Sequence, residues 1–371
     1  MKTKPSALHL PDWRANPYQK LLARGIEESG HRVSFGSYPK TLLPLCAAAR
    51  AWPDHSILHL HWPEPYFDRL IWAKSDLRFR IKSALLALDV LTARRLIGRV
   101  VWTVHNEVAH ESQNEGRERA LNCILARHVD QLIFHSESAA ERFQATLPFD
   151  IQKKSSVIAH GHYIGYYPES PGRTEAVMKE LGLANYHKTF LMFGTIRRYK
   201  GVPGVIRQFS TLQDPDARLI VAGKPYDSDL ESEIRSLAET DPRVILRFGH
   251  IADEDVAPLM RLARAVLFGF ERTLTSGSVL LAMSFGNAVI LPELARSLDV
   301  IDADGAVFYS GEEGLKSLLP SLTAAKLKCM GDHNFKCASL FDWSGIGAAI
   351  AEVYGGRPVR FIPKASDMRA S

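Results

Sequence analysis

Residues 188–225 read KTFLMFGTIRRYKGVPGVIRQFSTLQDPDARLIVAGKP. The apolar run KTFLMFGTI is interrupted by Gly194 and followed by a basic turn carrying Arg197, Arg198 and Lys200. After it GVPGVIRQFSTL takes up helical spacing, and a second apolar run, ARLIVAGKP, follows. Short apolar runs bounded by glycine read as buried strands, and a helix between two of them reads as a parallel crossover. The alternation continues through DSDLESEIRSLAET, RVILRFGHI, DEDVAPLMRLA, RAVLFGF, TLTSGSVLLAMSFGNAVILP and GAVFYS.

An earlier series has the same rhythm: ALHL, PYQKLLARGIEESG, HRVSFGS, SILHLHW, VVWTVHN, ERALNCILARHV, QLIFHS, SAAERFQATL and SSVIAHG. Between the two series, HYIGYYPESPGRT reads as a linker from its Pro and Gly content. The pattern predicts an α/β protein of two doubly wound parallel-sheet, Rossmann-like domains, 1–168 and 169–345. A C-terminal piece, 346–371, supplies a closing helix within DWSGIGAAIAEVYGG and a basic tail over 357–371 that reads as frayed. Ligands in such sheets lie beyond the carboxyl ends of the strands, so the expected site is the cleft that the two domains face across.

Bulk properties exclude several classes. The chain has 371 residues, 46% hydrophobic and 23% charged, an ordinary globular composition that allows two large cores. No eighteen apolar residues run together, and Pro, His and Asp interrupt any signal-peptide core near the N-terminus, so a cytoplasmic protein is expected. Cys46, Cys123, Cys329 and Cys337 are scattered without a close CxxC pair and read as small buried hydrophobes rather than disulfides or a zinc site. The net charge of +5 supports anionic partners weakly. No nucleic-acid module or interleaved aromatic-basic repeat is present.

Charge is concentrated between Asp68 and Arg99, where eight Lys/Arg face three Asp. Lys74, Arg78 and Lys82 fall four apart on one helical face, while Ile81, Leu85, Leu88 and Leu91 recur on another. The spacing fits either a core helix with a solvated basic side or a helix resting on an anionic membrane.

Polar groups gather at strand ends. In the first half these are Asp12 and Asn16, then His59, His61, Trp62 and Glu64, then His105, Asn106, His110 and Glu111, then His135, His160 and His162. Several histidines converging on one sheet edge suit a site as well as a core. In the second half Gly194, Arg197, Arg198, Lys200 and Gly201 form a strand–turn–helix junction of the kind a diphosphate needs, with neither a Walker A loop nor GxGxxG. Lys224, Glu271 and Arg272 add to that pocket wall, and Thr275, Ser276, Gly277 and Ser278 open an apolar segment either as a helix cap or as an anion seat. The pairs Asp214/Asp216, Asp227/Asp229 and Asp253/Asp255 read as turn or cap residues rather than metal ligands.

The ordered series GTIRRYKG, ARLIVAGKP, FGHIADEDVAPLMRLARAVLFGF and TSGSVLLAMSFGNAVILP resembles the nucleotide-binding half of GT-B glycosyltransferases. NPYQKLLARGIEESGHRV, HLHWPE and TVHNEVAHE resemble the acceptor half of bacterial exopolysaccharide enzymes acting on lipid-linked acceptors, and FDWSGIGAAIAEVY their closing helix. The likeness extends from about Asp12 to Tyr354. It implies that Arg197 and Lys200 neutralise the donor diphosphate, that residues 275–278 hold it at a helix N-terminus, that Gly194 admits its close approach, and that His105 and Asn106 face the donor sugar.

Retaining members carry two glutamates flanking seven residues before an AMxxG element, and an Arg in GRxxxxKG. Here Thr273 and Leu281 stand at the first pair of places and Thr195 at the last. Those departures imply the inverting, β-forming branch, which needs a general base on the acceptor hydroxyl. Glu111 is the first choice, with His110, Glu64 and Asp12 as rivals. No metal or cofactor is expected, since the cations and helix start meet the leaving-group charge.

The resulting expectation is a glycosyltransferase peripheral on the inner face of the cell membrane. Its donor is a UDP-sugar, including UDP-glucuronate through Arg198 and Arg272, or a GDP-sugar. Its acceptor is a polyprenyl-diphosphate-linked oligosaccharide in exopolysaccharide synthesis, docked near Lys74, Arg78, Lys82, Arg94 and Arg95. A sugar-nucleotide epimerase and a catalytically silent glycan-binding partner are the alternatives on the same fold.

Overall fold

A computed structural model describes residues 5–14, 16–106, 114–183, 188–271 and 277–363. The chain divides into two compact units, one holding residues up to Gly161 together with Phe341–Pro363, the other His162–Leu340. Against the expected breaks at 168 and 345, the first unit thus ends a few residues earlier and takes back the chain at 341.

The first unit contains β1 (Ser6–Leu10), β2 (Arg32–Phe35), β3 (Ile57–Leu60), β4 (Arg99–Thr103), β5 (Gln131–Phe134) and β6 (Ser155–Ile158). The second contains β7 (Lys188–Phe193), β8 (Ala217–Gly223), β9 (Val244–Phe248), β10 (Ala265–Leu267), β11 (Ala288–Pro292) and β12 (Ala306–Tyr309), and a last strand, β13 (Arg360–Phe361), returns to the first. The sheet orders are β13-β6-β5-β4-β3-β1-β2 and β12-β11-β10-β7-β8-β9, with every pairing parallel. Strands such as ALHL, ILHL and QLIF are buried along their whole length because helices cover both faces of a parallel sheet. The strand order reverses between β1 and β3 in the first sheet and between β7 and β10 in the second. These switch points open crevices at the carboxyl ends of those strands.

Expectations about the linker and the tail both change. Residues 162–174 are not a free linker: Tyr163 is buried and its N–H donates to Ser284 Oγ at 2.9 Å, and Pro171 opens a helix, Pro171–Glu180. The tail is not wholly frayed either, since β13 extends the first sheet beside β6; residues 364–371 lie outside the described residues. Of the cysteines, Cys46 and Cys337 are buried, Cys123 is half-buried and Cys329 is exposed.

The helix Trp343–Tyr354 packs against Pro17–Glu28, and glycines set how closely. A Cβ on Gly347 would fall on the backbone of Gly25, and one on Gly25 would fall on the Trp343 carbonyl. With no side chain at either position the axes come close enough for Ile346, Ile350 and Val353 to join Leu22 and Ile26 in one core.

The long helix Asp76–Ile97 begins at Ser75, whose side chain accepts from Arg78 N, and ends at Gly98 with φ 99°. Its inward face is Leu86, Val90, Ala93 and Ile97, not the Ile81, Leu85, Leu88 and Leu91 face that periodicity suggested, of which Leu85 is half-buried and the rest exposed. Asp89 is also inward, where its carboxylate accepts from Leu45 N and Cys46 N and so caps the helix Pro44–Ala51. The outward face carries Leu77, Ile81, Leu88 and Leu91, exposed by 70%, 54%, 50% and 38%. None of the described helices is long and apolar enough to cross a membrane.

The glycine contact makes a paired prediction. Gly347→Ala should destabilise the protein by about 1–3 kcal/mol or more, because backbone must move to admit the methyl group. Gly204→Ala, in the helix Val202–Ser210 where a Cβ would meet open space, should be neutral or stabilise by up to about 1 kcal/mol. Thermal unfolding of both variants checks this; equal melting temperatures would remove the close-approach argument.

Candidate active site

The register of the first sheet sets His9 on β1 directly beside His59 on β3, at the switch point, and His61 follows two residues later on the same face. Tyr354, from the closing helix, puts its hydroxyl 2.9 Å from His9 Nε2 and 2.8 Å from His59 Nδ1. Beyond them His59 Nε2 lies 2.8 Å from Thr103 Oγ1, His9 Nδ1 lies 3.1 Å from His61 Nε2, and His61 Nδ1 lies 3.5 Å from His105 Nε2. His105 in turn stacks on Trp62, ring centres 4.5 Å apart.

Burial pushes His9 down to about 3, His160 to about 3 and His135 to about 4, and it holds His59, His61 and His105 well below the ordinary imidazole range. All six rings are therefore neutral near pH 7. A neutral imidazole has one donor and one acceptor nitrogen, and the single Tyr354 proton can go to only one of its two imidazole neighbours. The chain Thr103–His59–Tyr354–His9–His61–His105 consequently runs with one polarity from end to end, and the direction it takes decides which nitrogen of His105 carries the proton. His9, His59 and His61 are close enough together to hold a metal ion, but both ring nitrogens of each are already engaged in this chain.

Glu64 begins the helix Glu64–Ile71 immediately after β3 and faces a pocket lined by His61, His105, Asn106, Glu118 and Asn122. The residue as a whole is half-buried, yet its Oε2 is shut off from solvent and has no hydrogen-bond partner among the described residues. Burial pushes the carboxyl up to about 7, against the opposing pull of its own backbone N–H and of the Asn106 amide; the charges of Glu118 and Asp68 push the same way as burial. A carboxyl near 7 with an oxygen that has no partner among the described residues is matched to general base work at neutral pH.

At the second switch point, Gly194, Gly201 and Gly223 have φ of 97°, 62° and 147°. A Cβ on Gly223 would fall on the Gly194 carbonyl, and one on Gly201 on the Gly269 carbonyl, so the ends of β7, β8 and β10 interlock through bare backbone. A pocket there is lined by Gly194, Lys200, Phe268 and Gly269. Burial pushes the Lys200 ammonium down to about 8, with the Arg197 charge adding to the effect. Among the described residues no carboxylate pairs with Lys200. The Arg197 guanidinium sits 4.8 Å from the centre of the Tyr226 ring. A desolvated ammonium beside a guanidinium and a glycine turn is a strong partner for a doubly charged phosphate group.

The other expected residues are dispersed. Asp12 is clamped by Arg14 at 2.8 Å, which holds its carboxyl below the usual range and makes it a poor base. Arg198 reaches away to Asp227 and Glu233 on the exposed surface, and Lys224 and Glu271 are exposed. Gly277 and Ser278 begin the helix Gly277–Ser284, in which Leu281 is buried. Glu111, His110, Arg272, Thr273, Thr275 and Ser276 lie outside the described residues. Lys74, Arg78 and Arg95 are exposed, whereas Arg94 pairs with Asp130 and Lys82 donates to the Arg69 carbonyl. Tyr354 and the pocket residues Glu118 and Asn122 carry no sequence signal of their own; the fold alone brings them in.

Residues 187–319 match the family of group 1 glycosyl transferases. The chain is 28% identical over 305 residues to the GDP-mannose:glycolipid 4-beta-D-mannosyltransferase of Xanthomonas campestris pv. campestris, covering 81% of this chain and 78% of that one. Among solved structures, Anabaena HepE in complex with UDP and glucose superposes with a TM-score of 0.73 at 14% identity, covering 95% of this chain and 99% of the other. Sucrose-phosphate synthase of Thermosynechococcus elongatus gives 0.70 at 15% identity, covering 99% and 100%. The architecture of two parallel α/β units is thus the GT-B fold.

Burial of Glu64 has a consequence for stability. Its folded value lies above its unfolded one, so the stabilisation it contributes is full below about 4.5 and is lost as pH rises through about 7. Glu64→Gln should therefore match the wild type near pH 4 and exceed it by as much as a few kcal/mol at pH 8. Denaturant titrations at the two pH values measure this, and a pH-independent difference would contradict a buried carboxyl.

Proposed function

We propose that this chain, a glycosyltransferase of GT-B fold, transfers a hexose with inversion from a nucleoside-diphosphate sugar to a hydroxyl of a lipid-linked saccharide. The raised, half-satisfied carboxyl of Glu64 is the observation that carries this reading. It takes the acceptor proton as the hydroxyl oxygen attacks the anomeric carbon. The bond from that carbon to the diphosphate breaks, and its electron pair leaves with a diphosphate neutralised by Lys200 and Arg197 and met by the helix start at Gly277. Those groups supply the needed charge, so the reaction requires no divalent cation.

GDP-mannose is the donor proposed first, because the relative whose name specifies it aligns over four-fifths of the chain. The UDP ligand of HepE belongs to a relative whose likeness extends only to the fold, and a UDP-sugar is accordingly the second choice. Glucuronate recedes, since Arg198 is engaged by Asp227 and Glu233.

The acceptor reading rests on the helix Asp76–Ile97. Leu77, Ile81, Leu88 and Leu91 form an outward apolar stripe, flanked by exposed Lys74, Arg78, Arg80 and Arg95 and by Trp72, which is 65% exposed. Apolar side chains rimmed by cations and an aromatic suit the headgroup layer of an anionic membrane. An epimerase, whose substrate is soluble, has no use for such a face.

Two experiments test the proposal. kcat/KM for donor should be bell-shaped in pH, rising as Glu64 ionises near 7 and falling as Lys200 loses its proton near 8, with or without EDTA. Glu64→Gln should lower kcat by about 10²–10⁴-fold and remove the acid limb; Lys200→Met should lower kcat/KM by roughly 10²-fold and remove the other. Full turnover in Glu64→Gln would end its role as base. Separately, the protein should sediment with vesicles containing an anionic lipid, and the double variant Ile81→Glu/Leu88→Glu should stay in the supernatant while keeping its melting temperature. Equal sedimentation of the two would take the membrane face away.

A further inference from the structure

A second cluster lies in the second unit, at the opposite end of the sheet from the donor pocket. His333 and Cys337 are four apart on the helix Ala324–Ser339, so both project from one face. Asp302, in the loop before β12, completes the group. His333 Nε2 lies 2.8 and 2.9 Å from the two Asp302 carboxylate oxygens and 3.2 Å from Cys337 Sγ.

A Cys–His–Asp trio suggests a nucleophilic triad first, but the atoms rule that out. In a triad the acid holds one ring nitrogen and the nucleophile the other. Here acid and thiol converge on the same nitrogen, Nε2. Carboxylate, thiol and imidazole nitrogen thus gather about one point, an arrangement in which one cation can be bound by all three groups. We propose that Asp302, His333 and Cys337 form a site for a divalent transition metal of the zinc class, with water in the fourth position. The mixed nitrogen, sulfur and oxygen set favours zinc over magnesium or calcium, which prefer all-oxygen cages.

The surroundings hold the three ligands in place. Asp302 Oδ1 also accepts from the N–H groups of Asp304 and Gly305 at 3.0 and 3.1 Å, which orients the carboxylate. Asn334, next to His333, donates to the carbonyls of Asn287 and Gly305, both at 2.8 Å, and locks the helix to the loop. Asn287 and Gly305 directly precede β11 and β12, which puts the site at the amino ends of those strands. Ligand pockets occupy the carboxyl ends. The metal therefore ties the helix to the loop and takes no part in transfer.

Cobalt(II) gives the direct test, because thiolate ligation produces a near-ultraviolet charge-transfer band alongside visible bands. Metal-stripped full-length protein with one equivalent of Co(II) should show both, and one equivalent of Zn(II) should bleach them. Cys337→Ser and His333→Asn should lose the charge-transfer band or its 1:1 endpoint. Cys329→Ser, one turn before His333 with its thiol exposed, should keep both. Zn(II) should raise the wild-type melting temperature by a few degrees but not that of Asp302→Asn. This last variant leaves the helix residues intact, so it reports even where Cys337→Ser folds poorly. Absence of a thiolate band, or its survival in Cys337→Ser, overturns the proposal. So does a Zn(II) shift that Asp302→Asn retains. Transfer activity at a permissive temperature serves as an independent readout and should not change with Zn(II).

Discussion

Removal from water at the carboxyl ends of two parallel sheets is the constraint behind the chemistry of this protein. The same physical effect acts on three kinds of group with different results. An acid is harder to ionise when buried, so Glu64 rises to about 7; an ammonium is harder to keep charged, so Lys200 falls to about 8. Imidazoles, which begin near neutrality, are driven out of the titrating range altogether. What remains is one carboxyl and one ammonium, each in its own unit, whose charge changes on either side of neutral pH. The shielding comes from close packing: bare backbone at Gly194, Gly201, Gly223 and Gly269 lets three strand ends crowd around Lys200.

The histidine chain shows how a buried polar cluster can avoid unmet demand without carrying charge. Each ring gives one proton and takes one, and the hydroxyl of Tyr354 joins the two halves. A phenylalanine at 354 would cut the chain in its middle and free both His9 and His59 to choose their tautomers independently. The tautomer of His105, three links from Tyr354, is thereby coupled to a residue far along the sequence.

Much of the fold is legible in the order of apolar runs and glycine stops, because buried parallel strands and their crossovers leave a period that no other architecture shares. The turn at Gly194–Gly201 is legible for the same reason, since only a tight strand-to-helix junction asks for glycine and clustered cations together. Burial is not legible. Asp12 and Glu64 are both carboxylates at strand ends, and only packing separates an acid clamped by Arg14 from one enclosed beside Asn106. The helix Asp76–Ile97 misleads for a related reason. It is apolar on two opposite faces, so periodicity finds a hydrophobic stripe without saying which one meets the sheet. Tyr354 is hidden by distance along the chain, as tertiary partners without a motif always are.

The route of the polypeptide carries a consequence for its synthesis. Residues 162–340 form one uninterrupted unit, whereas the unit that contains the N-terminus also needs Phe341–Pro363. Trp343, Ile346, Ile350, Val353 and Tyr354 belong to its core, and β13 covers the edge of its sheet. On the ribosome, residues 6–161 are therefore made before the segment that completes their core and pairs with β6, Phe341–Pro363. The central unit can close before it. Vectorial synthesis and the order of completion run in opposite directions, and a nascent chain stalled before residue 341 presents unfinished surface to whatever chaperone guards the tunnel exit.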